Sequence, residues 1–134
     1  MALQGKLKIG QREYGIIECE YEFSQSIDDT GKPVTRPRGG SITFVMPATN
    51  DDDLFFYKWM FNKTEVENGE FTFVVYSHDN KMSYKHVRFE NAYCIGLRDF
   101  FNDNDSRLMY STITISAEII LIGGGARFSN EWAR

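Results

Sequence analysis

The sequence is poor in the residues that mark extracellular, metal-binding or membrane-spanning chains. Among its 134 residues are two cysteines, two histidines and three prolines. No apolar run approaches the roughly 20 residues a membrane helix needs. Cys19 and Cys94 each lie inside a strand-like run, with no CxxC spacing, so both are expected to be reduced packing residues rather than a disulfide or redox pair. His78 falls in a turn-like stretch and His86 on the polar side of a strand, and no cysteine or second histidine is spaced to complete a zinc site. Positive charge is also in deficit. A formal net charge of −4 argues against a nucleic-acid binder, which needs surplus Lys and Arg to displace counterions from phosphates. The N-terminal stretch lacks the apolar core of a signal peptide, so synthesis and folding in the cytoplasm are expected, with no membrane insertion.

What is abundant is material for a core: 42% apolar residues, with 11 Phe and 7 Tyr. A chain of this length is expected to form one domain, residues 1–134. Period-two alternation dominates. From Tyr14 to Phe23, Ile17, Cys19, Tyr21 and Phe23 share one face and Glu18, Glu20 and Glu22 the other. Ile42, Phe44 and Met46 repeat the pattern, and Phe71 to Tyr76 is an apolar, β-branched run after the turn signal Asn68-Gly69. Val87, Phe89, Tyr93, Ile95 and Leu97 share a parity in which Asn91 is the polar exception, a candidate bend or bulge. Met109, Ile113, Ile115, Ala117, Ile119 and Leu121 do the same opposite Thr112, Thr114, Ser116 and Glu118, predicting a hairpin of two long strands joined through 99–107. A second turn is expected at His78 to Lys81. One segment breaks the alternation. Thr49, Asn50 and Asp51 are candidate N-caps for a helix over Asp51 to Phe61, with Leu54, Tyr57, Lys58 and Phe61 on one stripe and Phe55 and Trp59 beside it. The expected fold is mainly β: an antiparallel two-sheet β-barrel with one side α-helix and a long extended loop.

Constellations that resemble active sites do not hold up chemically. Ser77-His78-Asp79 has the composition of a hydrolytic triad, but sequence neighbours on an extended chain cannot form its relay. Asp51-Asp52-Asp53 and the pair Asp103 and Asp105 lack the glycine and distal glutamate of a calcium loop. The run Ile122 to Arg127 has no P-loop lysine. Glu18, Glu20 and Glu22 alternate along one strand face, the pattern of a solvated surface. No catalytic, cofactor-binding or metal-ligating set is expected, and no enzyme.

The segment Ser24 to Gly40 holds seventeen residues between two strands, with Asp28, Asp29, Lys32, Arg36 and Arg38, stiffened by Pro33 and Pro37 and closed by Gly39-Gly40. Connections longer than about 12 to 15 residues in compact domains are either binding elements or disordered. Composition leaves both readings open.

Four stretches bear a family resemblance: "IECEYEFSQSIDDTGKPVTRPRGGSITF" from Ile17 to Phe44, "DDDLFFYKWM", "FENAYCIGLRDFF", and "STITISAEII" with a tail containing Asn130-Glu131-Trp132. Together they resemble the Hcp-like tube protein (TssD) of type VI secretion systems, in the branch found in Bacteroidota. The resemblance covers essentially the whole chain. It implies a structural subunit without cofactor, six copies closed into a homohexameric ring, and rings stacked into an inner tube. A contractile sheath would expel that tube, with its baseplate or spike proteins, toward a target cell, effector cargo travelling in the lumen. It further implies that the chain leaves the cytoplasm through that apparatus without a signal peptide. The long loop would contact neighbouring subunits, making Asp28, Asp29, Lys32, Arg36 and Arg38 intersubunit contacts. The alternative from another class is a small-ligand-binding barrel of lipocalin-like kind, which would need an apolar cavity inside the barrel.

Overall fold

The computed structural model describes residues 4–104 and 109–132. Most of the expected 99–107 connection is covered, but Asp105 and its neighbours up to 108 lie outside the described residues. Eight strands and one helix follow in chain order: β1 (Gly5–Ile9), β2 (Arg12–Ile16), β3 (Glu18–Tyr21), β4 (Ser41–Pro47), α1 (Phe55–Phe61), β5 (Glu67–Tyr76), β6 (Met82–Phe101), β7 (Met109–Ile122) and β8 (Ala126–Ser129). Pairing is antiparallel throughout, in the order β2-β1-β5-β6-β7-β4-β3, with β8 alongside the end of β7. The mainly-β architecture with one short helix is thus the one expected. β2 and β3 sit at opposite ends of that order yet are separated in sequence only by Ile17, whose N–H donates to the Val45 carbonyl at 2.8 Å. The sheet therefore curls until its two ends meet in one stretch of chain.

β6 and β7 belong to both halves of the curl. Residues 82–89 and Ala92 of β6 pair with β5, while 93–101 pair with the part of β7 that also carries β4. At the crossing, Asn91 takes a left-handed φ of 54°. Before it Val87 and Phe89 point inward; after it Ala92 and Cys94 do, leaving Ile95 52% exposed. The partner strand switches at the same level, from Ile113, Ile115 and Ala117 to Glu118 and Ile120. This corrects the expected faces. Tyr93 is only half-buried and Glu118, expected outside, is 4% exposed, whereas Leu97 packs against the core as expected. The left-handed residue shifts the pleat by one, and the side chains from Ala92 to Ile95 change sides until the register shift between Cys94 and Gly96 turns Leu97 back toward the core.

Three other expectations change for local reasons. The run from Tyr14 to Phe23 is two strands, and the break buries Ile16 while leaving Ile17 exposed. Asn68-Gly69 is not a turn but part of β5, next to a register shift. A Cβ on Gly69 would stand 2.6 Å from Phe89 and 2.9 Å from the Lys8 carbonyl, so the glycine serves close packing. The helix starts at Phe55 rather than Asp51. Residues 49–53 form a turn in which the Thr49 hydroxyl donates to the Asp53 carbonyl and the Asp53 carboxylate accepts from the Phe55 N–H at 3.2 Å. Its inward stripe is Phe56 and Trp59, flanked by Phe55 and Met60, whereas Leu54 and Phe61 face out.

Inside the curl, Trp59, Phe44, Phe71, Phe89, Leu7 and Ile113 are fully buried together with the β4 set Ile42 and Met46. Each such side chain contributes about 1.5–3 kcal/mol through removal from water. Trp59 also donates its indole N–H to the Glu65 carbonyl at 3.2 Å, so the largest core residue leaves no orphaned donor. Cys94 is buried and Cys19 half-buried, both as free thiols; burial pushes their pKa values up to about 11 and about 12.

Candidate functional site

The segment between β3 and β4 is ordered by its own backbone. Ser24 and Arg38 exchange both N–H···O bonds, at 3.0 and 2.6 Å. Farther out, Asp28 N–H donates to Lys32 and Val34 N–H to Ser26, each at 2.9 Å. These bonds make two narrow, bridged rails. At the tip, the Asp28 carboxylate accepts from the Thr30 N–H, the Thr30 hydroxyl and the Lys32 N–H, within 2.8–3.0 Å, while Gly31 supplies the left-handed φ of 86° that reverses the chain. The Thr30 hydroxyl first, then the backbone donors, hold the Asp28 carboxyl below its ordinary pKa. An aspartate at this position accepts three bonds that an alanine would leave to water.

The root of the arm is fixed by the C-terminal tail. Asn130 donates its side-chain amide to the Ala117 carbonyl at 3.0 Å and the Gly39 carbonyl at 3.3 Å, and its backbone N–H to Glu118 at 2.8 Å. Glu131 pairs with Arg36, and Trp132 packs on Tyr93 with ring centroids 5.4 Å apart. The glycine pair has a steric reason here. Gly40 has φ of 102°, and a Cβ there would lie 2.8 Å from the Ala117 carbonyl and against the Asn130 amide; a Cβ on Gly39 would meet the Phe23 ring.

The five charged residues singled out in the sequence are therefore not one cluster. Asp28 closes the tip turn, and Arg36 bonds within its own chain. Asp29, Lys32 and Arg38 are exposed, and among the described residues their side chains have no ion-pair partner. The charge inventory overlooked the apolar part of the arm: Ile27 and Val34 are 63% and 59% exposed, one on each rail. Their signal was available as two aliphatic residues placed around the Asp28–Gly31 turn in an otherwise polar stretch.

Two outer faces complete the surface. On β3, β4 and β7, Glu18, Glu20, Ser41, Thr43, Thr112, Thr114 and Ser116 make a polar wall, with the Thr43 and Thr114 hydroxyls 3.0 Å apart. On β1, β2, β5 and β6, a cavity of about 540 Å³ is lined by Lys6, Lys8, Glu13, Glu70, Tyr76 and Tyr84, on the outer side of the sheet. The interior is filled by the aromatic core, so the lipocalin-like alternative loses the internal cavity on which it depends. Among the described residues, no group of His, Cys, Asp and Glu is placed to hold a metal ion, and no helix is long and apolar enough to cross a membrane.

The same fold occurs in known proteins. Hcp1 from Flavobacterium johnsoniae superposes with a TM-score of 0.79 at 27% identity, covering 96% of this chain and 100% of that one. The Hcp1 protein from E. coli EAEC 042 gives 0.71 at 14% identity over 98% and 100%. A sheath-tube complex of an extracellular contractile injection system gives 0.56 at 13% identity over 89% and 87%, a likeness of fold. Among curated proteins none matches the chain. Residues 1–133 match the family described as hemolysin coregulated protein Hcp (TssD), and the chain belongs to that family.

Proposed function

We propose that this chain is the structural subunit of the inner tube of a contractile type VI secretion system. Six copies close into a ring, rings stack, and the tube is driven outward by a sheath with its baseplate or spike proteins. The observation that carries the reading is the arm. It is internally hydrogen-bonded, clamped at its root, and it holds Ile27 and Val34 out in water where its own chain offers them no core. A monomer gains nothing from such exposure, whereas an assembly buries it. The polar wall of β3, β4 and β7 suits the lining of a water-filled lumen through which effector cargo passes, since Thr and Ser hydroxyls exchange freely with water. The chain performs no catalysis in this reading and is made in the cytoplasm before it is exported through the apparatus.

Mass photometry with negative-stain imaging tests it. The expected species is a ring of six times the 15.5 kDa monomer. A monomer at every salt and protein concentration overturns the reading.

A further inference from the structure

The cavity of about 540 Å³ on the outer side of β1, β2, β5 and β6 has a structural cause. β1 reaches only as far as Gly5, opposite Phe73, where the Gln4 carbonyl accepts from the Val74 N–H at 3.1 Å. The β5–β6 hairpin runs on beyond it to the turn that the Ser77 N–H closes on the Lys81 carbonyl at 3.0 Å. The two-stranded ribbon thus overhangs the end of β1, and its outward side chains Val74, Tyr76, Met82 and Tyr84 wall one end of a trough. We propose that this trough binds a short, uncharged oligosaccharide, with the two tyrosine rings as stacking platforms. The inference goes beyond the tube-subunit reading and does not depend on it.

Charge decides against an ionic ligand. The ionisable cations and carboxylates of the lining are Lys6 and Lys8 against Glu13 and Glu70, two of each sign; Lys6 pairs with Glu13 at 3.6 Å, and Glu70 lies 3.9 Å from Arg88. With no net charge the trough offers an ion little complementarity, yet the same side chains place donors and acceptors next to one another. Hydroxyl groups, which both donate and accept, match that mixture. The aromatic end supplies the second observation. Tyr76 and Tyr84 are each 57% exposed, and among the described residues neither ring packs on another ring and neither hydroxyl has a hydrogen-bond partner. Tyr84 stands opposite Val74 and Tyr76 opposite Met82, so the two tyrosines are diagonal neighbours, about 7–8 Å apart at the backbone. A tyrosine offers an apolar face to the C–H side of a sugar ring while its hydroxyl stays in contact with water. The third observation is the spacing of the two ends. The Lys6–Thr72 pair lies two residues along from Val74 and Tyr84, roughly 6.6 Å away, so a ring stacked on Tyr84 turns its hydroxyl edge to Lys6 and Thr72. The volume falls within the ~300–1,000 Å³ common to ligand sites.

The test uses the intact chain carrying methyl-labelled methionine, because Met82 lies in the trough, is 55% exposed, and gives a sharp nuclear resonance signal whatever the size of the assembly. Met82→Leu assigns that signal, and buried Met46 serves as the internal control. Cellotriose, maltotriose and triacetylchitotriose are the probes, with pentaglutamate and pentalysine as charged comparisons. At least one trisaccharide is expected to shift the Met82 methyl saturably at millimolar concentration and leave Met46 in place. Tyr76→Ala and Tyr84→Ala should each weaken that binding about tenfold, the effect of removing one stacked ring. Tyr84→Phe keeps the ring and should stay within about twofold of wild type. Both tyrosines are exposed, so neither truncation removes core, and circular dichroism checks the fold of each variant. The proposal is overturned if no trisaccharide moves Met82, if the shift survives both alanine variants, or if a charged peptide moves Met82 at lower concentration than every sugar. None of these results bears on ring assembly, which sedimentation velocity reports separately.

Discussion

The side-chain amide of Asn91 donates to the Glu118 carboxylate at 2.9 Å, across the point where both long strands exchange their inner and outer faces. The backbone N–H of Asn91 donates in turn to the side-chain carbonyl oxygen of Asn68 at 2.8 Å. A residue that tolerates left-handed φ, bonded on both sides, thus sets the bend between the two halves of the curl. Asn91→Ala should cost about 2–3 kcal/mol, combining ~1 kcal/mol of φ strain with loss of a bond to a buried carboxylate. Asn91→Gly keeps the permitted φ and loses only the bond, so it should be the milder variant. Urea unfolding of both checks the order; equal stabilities for the two would mean that backbone strain contributes nothing at the bend.

Glu67 shows what the fold does to a carboxyl near the helix exit. Burial, then the neighbouring Glu65 carboxylate, raises its pKa from 4.5 to about 7, against a lowering pull from Arg12. Between those values the native state binds more proton than the unfolded chain, so this group's contribution to stability falls as pH rises from about 4.5 through 7. Glu67→Gln removes the titration. Its melting temperature should match wild type near pH 4.5 and exceed it increasingly up to pH 7 and above. A constant offset across that range would show that the side chain does not titrate there.

Alternation within strands was legible in the sequence because it depends on the nearest neighbours alone: Ile42, Phe44 and Met46 needed no other part of the chain to be read correctly. Asn91 could be flagged as an exception but not read as a face switch, because its left-handed φ is held by Asn68 and Glu118, 23 and 27 residues away. The helix start failed for a related reason. Thr49 and Asn50 are good caps in isolation, but inside the preceding turn the Thr49 hydroxyl donates to the Asp53 carbonyl and the Asn50 side chain accepts from the Asp52 N–H. The arm's length and turn were visible; its root was not, since Asn130 and Glu131 reach Gly39 and Arg36 across more than 90 residues.

Gly40 tests the root directly. Gly40→Ala places a methyl group 2.8 Å from the Ala117 carbonyl at a φ of 102°, where alanine is strained by about 1–2 kcal/mol even without a clash. Denaturant stability should fall by at least that amount, and amide exchange should quicken at Ser24 and Arg38 while the β6–β7 hairpin stays protected. Gly125 supplies the contrast: its φ lies outside the left-handed region and a methyl group there would meet no atom within 4 Å, so Gly125→Ala should lie within about 0.5 kcal/mol of wild type. Equal losses at the two glycines would refute the steric account of the root.

The two arginines of the arm should separate by salt. Arg36 already pairs with Glu131 in its own chain, both side chains being more than half exposed, so Arg36→Glu should loosen the tail at a cost of about 0–1 kcal/mol. Arg38 has no ion-pair partner in its own chain among the described residues, which leaves its charge free for a neighbouring subunit. If Arg38 binds a carboxylate there, Arg38→Glu turns an attraction into a repulsion at every interface of the assembly, and the small energy of one exposed pair is multiplied by the number of subunits. The barrel should stay folded by circular dichroism while assembly weakens. Screening sets the salt dependence: the Debye length shrinks from about 10 Å at 0.1 M to 3 Å at 1 M, so the gap between wild type and Arg38→Glu should be widest at low salt and close as salt rises. Sedimentation velocity across a salt series measures that gap. Assembly by Arg38→Glu that matches wild type at about 0.05 M salt, where screening is weakest, would remove this arginine from the interface.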